Sequence, residues 1–188
     1  MHVHNYEKLW LLASLALIVG FISTIVYGAV GAGVVMVNDE GGQVNASGLS
    51  EHPEFNDPGV RKVGPNEYEA YVVAQQFAFS PDPIEVPANS TVTFYVTSRD
   101  VVHGFEVAGT NANAMVVPGE VSKMTVEFNE TDEYGVVCNE YCGQAHHDMA
   151  GEVIVKEPGN FTLDDAGEST TAQATNGTDE TANGTGES

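Results

Sequence analysis

The fold is decided by two alternating stretches, EYEAYVVA at residues 67–74 and TVTFYVT at residues 91–97. Both are rich in β-branched and aromatic residues, which favour strands. Five further runs of this character are separated by Pro, Gly, Asn and Asp, at residues 84–86, 105–107, 123–128, 134–138 and 152–155. Seven short strands within about ninety residues, without an amphipathic helix between them, predict an all-β antiparallel sandwich or Greek-key barrel.

The sequence outside these strands divides into three segments. No charged residue occurs from Leu9 to Val37, and about 20 apolar residues suffice to cross a membrane. We therefore expect a membrane anchor over residues 1–37, with a cleaved signal peptide as the alternative. A flexible linker rich in Gly, Asn, Ser and Pro is expected at 38–62, and the β domain at 63–156. Residues 157–188 are expected to form a disordered acidic tail.

Charges beside the anchor predict its orientation. Lys8 precedes the apolar run, whereas Asp39 and Glu40 follow it, and positively charged residues favour the cytoplasmic side of a membrane. We expect a single-pass protein of the cell membrane whose C-terminal domain lies on the extracellular side.

The overall charge bounds the environment. The 188 residues include 27 Asp and Glu against 6 Lys and Arg, a net charge of −21. Such a surface repels polyanions, which excludes a nucleic-acid-binding protein. An acidic surface with few cations suits concentrated salt, so we expect a halophilic source. Seven of the acids lie in residues 157–188, and 14 acidic against five basic residues lie between positions 60 and 156.

The residues that carry chemistry are concentrated in one segment, CNEYCGQAHHDM at 138–149, between two predicted strands. Its candidate metal ligands are Cys138, Cys142, His146 and Met149. Thiolate, thioether and imidazole ligands select copper over Mg, Ca or Mn. A second imidazole, His103, lies 35 residues before the first cysteine at another strand boundary. A Greek-key fold can bring it beside the segment.

Three simpler sites compete with this interpretation. The cysteines could form a disulfide, as expected for an even count in an exported domain, which would leave His146 and Met149 unexplained. A structural zinc site would use both cysteines with His103 and His146, although zinc does not recruit a thioether. A mononuclear blue-copper site needs one Cys, two His and an axial Met, so one Cys would be surplus.

Two copper ions accommodate all of these donors. If both thiolates bridge the ions, they fill four coordination positions; two imidazoles, one thioether and one backbone carbonyl from the loop between the cysteines fill four more. Each copper then has two sulfurs, one imidazole and one weak axial ligand. Such a pair on a rigid β scaffold suits rapid electron transfer, because little must reorganise when an electron arrives or leaves.

The sequence resembles a known family, subunit II of haem–copper oxidases (cytochrome c oxidase), which carries the dinuclear CuA centre. The resemblance covers roughly residues 6–156 and rests on the motif Cys-x-Glu-x-Cys-Gly-x-x-His-x-x-Met from Cys138. It is supported by Pro-Ile-Glu-Val-Pro at 83–87, Val-His-Gly-Phe at 102–105 and Val-Pro-Gly-Glu at 117–120. It implies a cupredoxin-like Greek-key fold behind one N-terminal transmembrane helix, the single-anchor type of this family.

The resemblance also implies the cofactor and its ligands. The cofactor would be two copper ions bridged by the two thiolates. The implied ligands are His103, Cys138, Glu140 through its backbone carbonyl, Cys142, His146 and Met149. The Glu140 side chain would face the catalytic subunit, where many relatives bind a Mg ion.

The resemblance finally implies the function and the partners. A cytochrome c or a small blue-copper protein would deliver electrons to CuA, and these would pass to haem in subunit I, where oxygen is reduced. No catalytic residue is then expected on this chain. The alternatives are another CuA protein similar to nitrous oxide reductase, for whose long propeller domain this chain has no room, and a copper carrier or assembly protein, which needs an exchangeable site.

Overall fold

The chain begins with an apolar helix in the computed structural model, which describes residues 4–28 and 41–163. Helix α1 spans Asn5–Val26, and His4 and Glu7 form a capping box at its start. Ser23 and Thr24 donate their hydroxyls to carbonyls one turn earlier, so these polar groups are paired inside the helix. The 22 residues extend about 33 Å, enough to cross the hydrocarbon core. Within the described ranges, α1 is the one helix long and apolar enough to span a membrane.

Ten strands follow within the described residues 59–156. They are β1 (Gly59–Gly64), β2 (Glu67–Gln75), β3 (Ala78–Ser80), β4 (Ile84–Pro87), β5 (Ser90–Ser98), β6 (His103–Val107), β7 (Asn113–Val116), β8 (Ser122–Phe128), β9 (Asp132–Val137) and β10 (Ala150–Lys156). All seven predicted strands are present, each within two residues of its predicted ends. Strands β1, β3 and β7 were not predicted, because β3 and β7 are very short and β1 carries two cations between glycines.

The strands form two five-stranded sheets. The first has the order β1-β2-β5-β8, with β3 also paired to β2, and the second has the order β4-β10-β9-β6-β7. The predicted all-β sandwich behind one apolar helix is confirmed. The pairing departs from the predicted antiparallel arrangement at two places, since β2 pairs with β5 and β4 with β10 in parallel. The reason is that the chain crosses to the second sheet at β4 and returns to the first at β5.

The hydrophobic core lies between the two sheets. Along β5, Val92, Phe94 and Val96 are fully buried and alternate with residues that face outward. The Phe94 ring packs against Phe105 of the second sheet and Phe128 of the first, at centroid distances of 5.7 and 6.4 Å. Burial of each such ring contributes about 1.5–3 kcal/mol. The core therefore holds the strand ends in fixed positions.

The segment predicted as a linker, 38–62, packs on the domain over its described part. Val44, Leu49 and Phe55 are buried and form a second hydrophobic cluster with Val73 and Val121. A short 3-10 helix connects them, and β1 starts before the segment ends. These residues cover the outer face of the first sheet instead of forming a free tether. Positions 29–40 and 164–188, which include parts of the predicted anchor and linker and most of the predicted tail, lie outside the described residues.

The segment that holds most of the candidate ligands, residues 138–149, forms a loop at one end of the second sheet. Val137, the last residue of β9, pairs with Ala150, the first residue of β10. Between them the Cys138 N–H donates to the Met149 carbonyl at 3.3 Å, which closes the base of the loop 138–149. Strand β6 pairs with the last residues of β9 and starts at His103. The sheet register therefore brings His103 beside the loop.

Candidate metal centre

Three buried side chains converge at this end of the sandwich. One donor atom from each of His103, Cys138 and Cys142 lies within 4.8 Å of the other two, and each residue is at most 3% exposed. The two Sγ atoms are 3.7 Å apart, well beyond the roughly 2.05 Å of a disulfide, and both cysteines are free. The structure therefore contradicts the disulfide alternative and presents a thiol pair that faces an imidazole.

Two further donors lie beside Cys142. Its Sγ is 3.6 Å from His146 Nδ1 and 3.6 Å from Met149 Sδ. Met149 is 2% exposed, whereas His146 is half-buried and its ring lies beside that of the exposed Tyr141. A buried thioether beside a thiol is a soft donor set, which suits copper better than zinc.

The remaining donors lie beside Cys138. Its Sγ is 3.9 Å from His103 Nδ1 and 3.2 Å from the backbone carbonyl oxygen of Glu140. Each sulfur thus has an imidazole nitrogen and one weaker donor nearby. All six residues that the sequence singled out lie in this cluster.

Asp100 fixes the orientation of His103. Its Oδ1 is 2.8 Å from His103 Nε2, so the ring presents Nδ1 to the thiols. Burial raises the pKa of the Asp100 carboxyl, but hydrogen bonds from His103 and from the N–H groups of Gln76 and Val101 outweigh it and hold the pKa below its usual value. The resulting carboxylate is the type of outer partner that orients metal-ligating histidines.

The thiol of Cys142 is protonated in the absence of a cation. Burial, followed by the hydrogen bond between Cys142 and Cys138 and the charge of that neighbour, raises the pKa of Cys142 to about 11. A coordinated metal ion reverses this preference, because metal-bound thiols are deprotonated. A soft cation bound at this site would therefore displace the thiol proton.

A glycine allows the loop to approach β6 closely. A Cβ on Gly104 would lie 1.8 Å from Asn139 Oδ1 and 2.8 Å from the Asn139 backbone nitrogen. Asn139 Nδ2 in turn donates to Glu106 Oε2 at 2.9 Å and to Asn113 Oδ1 at 3.0 Å. These bonds fasten the loop to β6 and β7 at the neighbouring cross-strand pair of Glu106 and Asn113.

Sequence reasoning missed the contact of Gln76 with the loop. Its side-chain Nε2 donates to the Cys142 carbonyl at 2.5 Å, across 66 positions of the chain. Nothing local in the sequence marks such a pair. Asp100 carried a weak signal, because it precedes His103 by three residues at a strand boundary.

The sequence matches one family and is similar to individual members of it. Residues 67–157 match the family described as cytochrome c oxidase subunit II, periplasmic domain. The chain is 42% identical over 161 residues to a cytochrome c oxidase subunit 2 of Thermus thermophilus, a match that covers 81% of this chain and 92% of that protein. Another cytochrome c oxidase subunit 2 of Thermus thermophilus is 44% identical over 117 residues, covering 61% of this chain and 87% of that protein.

A solved structure is similar over the same extent. It is a chain of a haem–copper terminal oxidase dimer determined by cryo-electron microscopy, with a TM-score of 0.63 and 34% identity. The superposition covers 81% of this chain and 100% of that chain. The similarity therefore extends beyond the ten strands.

Proposed function

Because this chain belongs to the cytochrome c oxidase subunit II family and is therefore a subunit of a haem–copper terminal oxidase, an oxidoreductase complex, we propose that it receives electrons from an external carrier and passes them to the catalytic subunit. One observation carries the proposal. Two buried thiols lie 3.7 Å apart, each next to an imidazole nitrogen, in a soft donor set that suits copper.

We assign two copper ions to this site. The ligands are His103, Cys138, Glu140 through its carbonyl, Cys142, His146 and Met149. Both thiolates would be shared by the two ions, an assignment that leaves no donor of the cluster unused. A copper pair held in this way supplies reversible one-electron chemistry.

The protein contributes rigidity and the exclusion of water. The strand pairing at the base of the loop and the bonds of Asn139 hold the cysteines in place, and Asp100 holds the ring of His103. Burial of both thiols keeps bulk water from their sulfur atoms. Ligands that do not move between oxidation states keep the reorganisation small, which favours fast electron transfer.

Membership in the family also implies subunit I of the oxidase as the partner, and α1 has the length of a membrane anchor. We place the copper domain on the extracellular side of the cell membrane. The donor we propose is a cytochrome c or a small blue-copper protein. The Glu140 side chain would face subunit I, at the position where relatives bind Mg.

Spectroscopy of the copper-loaded full chain tests this proposal. We expect two copper ions per chain and an electron paramagnetic resonance pattern of one unpaired electron shared by both. Cys142→Ser, which removes one bridge, should abolish that pattern. A single-copper hyperfine pattern in the wild type would overturn the dinuclear assignment.

Purification from native membranes separates the oxidase from the alternatives. Copurification with a haem-containing catalytic subunit supports the proposed role. A dinuclear protein that copurifies with no haem subunit would instead favour a different CuA protein, and loss of copper to a weak chelator within seconds would favour a carrier.

A further inference from the structure

Gln76 lies outside the proposed ligand set but contacts the backbone of one ligand, Cys142, and the carboxylate of Asp100, which orients another, His103. Its side chain reaches the loop that carries both cysteines, and its backbone reaches Asp100 in the turn that precedes His103. We propose that Gln76 is a positioning residue that fastens these two segments together around the copper site. The inference rests on the proposed function, since positioning is meaningful only if the site binds copper.

The side chain of Gln76 holds the loop at Cys142. Gln76 Nε2 donates to the Cys142 carbonyl at 2.5 Å, and the Cys142 sulfur is the one that contacts His146 and Met149. The amide lies directly on the loop backbone, because a Cβ on Gly143 would be 2.7 Å from Nε2. Gly143 has a φ of +134°, a conformation that glycine adopts readily. The backbone at 142–143 is thus shaped to receive this amide.

The backbone of Gln76 holds Asp100, which orients His103. The Gln76 N–H donates to Asp100 Oδ2 at 2.8 Å, while Asp100 Oδ1 is 2.8 Å from His103 Nε2. An unbroken series of short contacts therefore runs from the Cys142 carbonyl through Gln76 and Asp100 to the His103 ring. Because its two ends lie on different segments of the chain, the series fixes their separation.

The side-chain amide also acts electrostatically. Its N–H points toward the carbonyl of a residue whose sulfur carries negative charge in the metal-bound state. A donor in this position favours the more negative, reduced state of the site, so its removal should lower the reduction potential. Loss of an outer partner of a metal ligand typically weakens metal binding about 10- to 100-fold.

The chain supplies a matched control in the preceding residue. Gln75 has the same side chain, but its Oε1 accepts from Arg99 Nη1 at 3.4 Å and it makes no contact with the loop among the bonds described. Gln75→Glu therefore adds the same charge one residue away. Gln76→Met, which is neutral and similar in length, removes the donor without adding charge.

The experiment compares Gln76→Glu, Gln76→Met and Gln75→Glu in the full chain in detergent. Copper alone is titrated, and the reduction potential and copper hyperfine coupling are measured. In the metal-free chain, the rate of alkylation of Cys142 by iodoacetamide is followed by peptide mass spectrometry. We expect both Gln76 variants to bind copper about 10- to 100-fold more weakly, to have a lower potential and to react faster at Cys142. Gln75→Glu should match the wild type.

Two results would overturn the proposal. One is that both Gln76 variants match Gln75→Glu in copper affinity, potential and alkylation rate. The other is that only Gln76→Glu differs, which would make the added charge responsible. The alkylation rate needs no copper, so it reports on positioning even if the wild type binds a single ion and the dinuclear assignment fails.

Discussion

Replacement of Gly104 by alanine tests whether the close approach of the loop to β6 supports the copper site. The new Cβ would lie 1.8 Å from Asn139 Oδ1, 2.8 Å from the Asn139 nitrogen and 2.9 Å from the Glu140 nitrogen. An ordinary contact is about 3.4 Å or longer, so the Asn139 side chain and the adjacent backbone must both move. The carbonyl of Glu140, which we assign as a ligand, belongs to the displaced segment.

The expected magnitude follows from these contacts. Overpacking of a close-packed site costs about 1–3 kcal/mol. Displacement of the Asn139 amide also breaks its bonds to Glu106 and Asn113, each worth about 0.5–1.5 kcal/mol. We expect Gly104→Ala to lower the free energy of unfolding by about 2–6 kcal/mol and to weaken copper binding.

The assay is urea unfolding of the metal-free full chain, followed by circular dichroism and paired with a copper titration. Gly135→Ala is the control, since Gly135 lies in β9 of the same sheet and a Cβ there meets nothing within 4 Å. This control should change the free energy of unfolding by less than about 0.5 kcal/mol. If Gly104→Ala behaves like Gly135→Ala in both measurements, the loop does not depend on close contact with β6.

Three further predictions concern the ligands, the pH dependence and the surface charge. Met149→Leu keeps the buried volume and should preserve the fold within about 1.5 kcal/mol, but it should shift the reduction potential; an unchanged potential would show that Met149 is not a ligand. Burial, and then the hydrogen bond to Glu69 and the charge of that carboxylate, raise the pKa of Tyr71 above its usual value of about 10. The unfolded chain therefore loses this proton first, so the free energy of unfolding should fall as the pH rises above 10. Tyr71→Phe should reduce that fall. If urea unfolding at pH 9–11 gives the same change of unfolding free energy with pH in both proteins, the prediction is contradicted. The excess of acids between positions 60 and 156 should attract a cationic electron donor at low salt. This attraction should disappear near 1 M salt, where the Debye length is about 3 Å. If the rate of donor oxidation does not depend on ionic strength, the acidic surface does not attract the donor and is explained by adaptation to salt alone.

The ligand loop was predictable because its chemistry is local. Five of the six expected donors lie within twelve consecutive residues, and their spacing is set by a loop closed between two neighbouring strands. His103 was predictable because it lies at a strand boundary and within Val-His-Gly-Phe at 102–105, one of the motifs that carry the resemblance. Strand positions were predictable for the same reason, since alternation is a property of neighbouring residues.

The outer contacts of the site could not be predicted, because they join distant parts of the chain. The bond of Gln76 to Cys142 depends on how β2, β6 and the loop are placed by two separate sheets. The parallel pairs arise from the crossing between sheets, which no single stretch encodes. The packing of the predicted linker could not be predicted for a different reason. Its composition is polar, yet three apolar side chains suffice to bury it against the first sheet.

The unequal burial of the donors has a consequence for metal exchange. His103, Cys138, Cys142 and Met149 are at most 3% exposed, whereas His146 is half-buried. We therefore expect an ion to reach the sulfurs when the loop opens on the His146 side, since such local opening needs less free energy than global unfolding. Copper should therefore leave at a rate set by this opening, so that a strong chelator in excess removes it no faster when its concentration is raised. The same enclosure protects the thiols and the thioether from oxidation to sulfenic acid and sulfoxide.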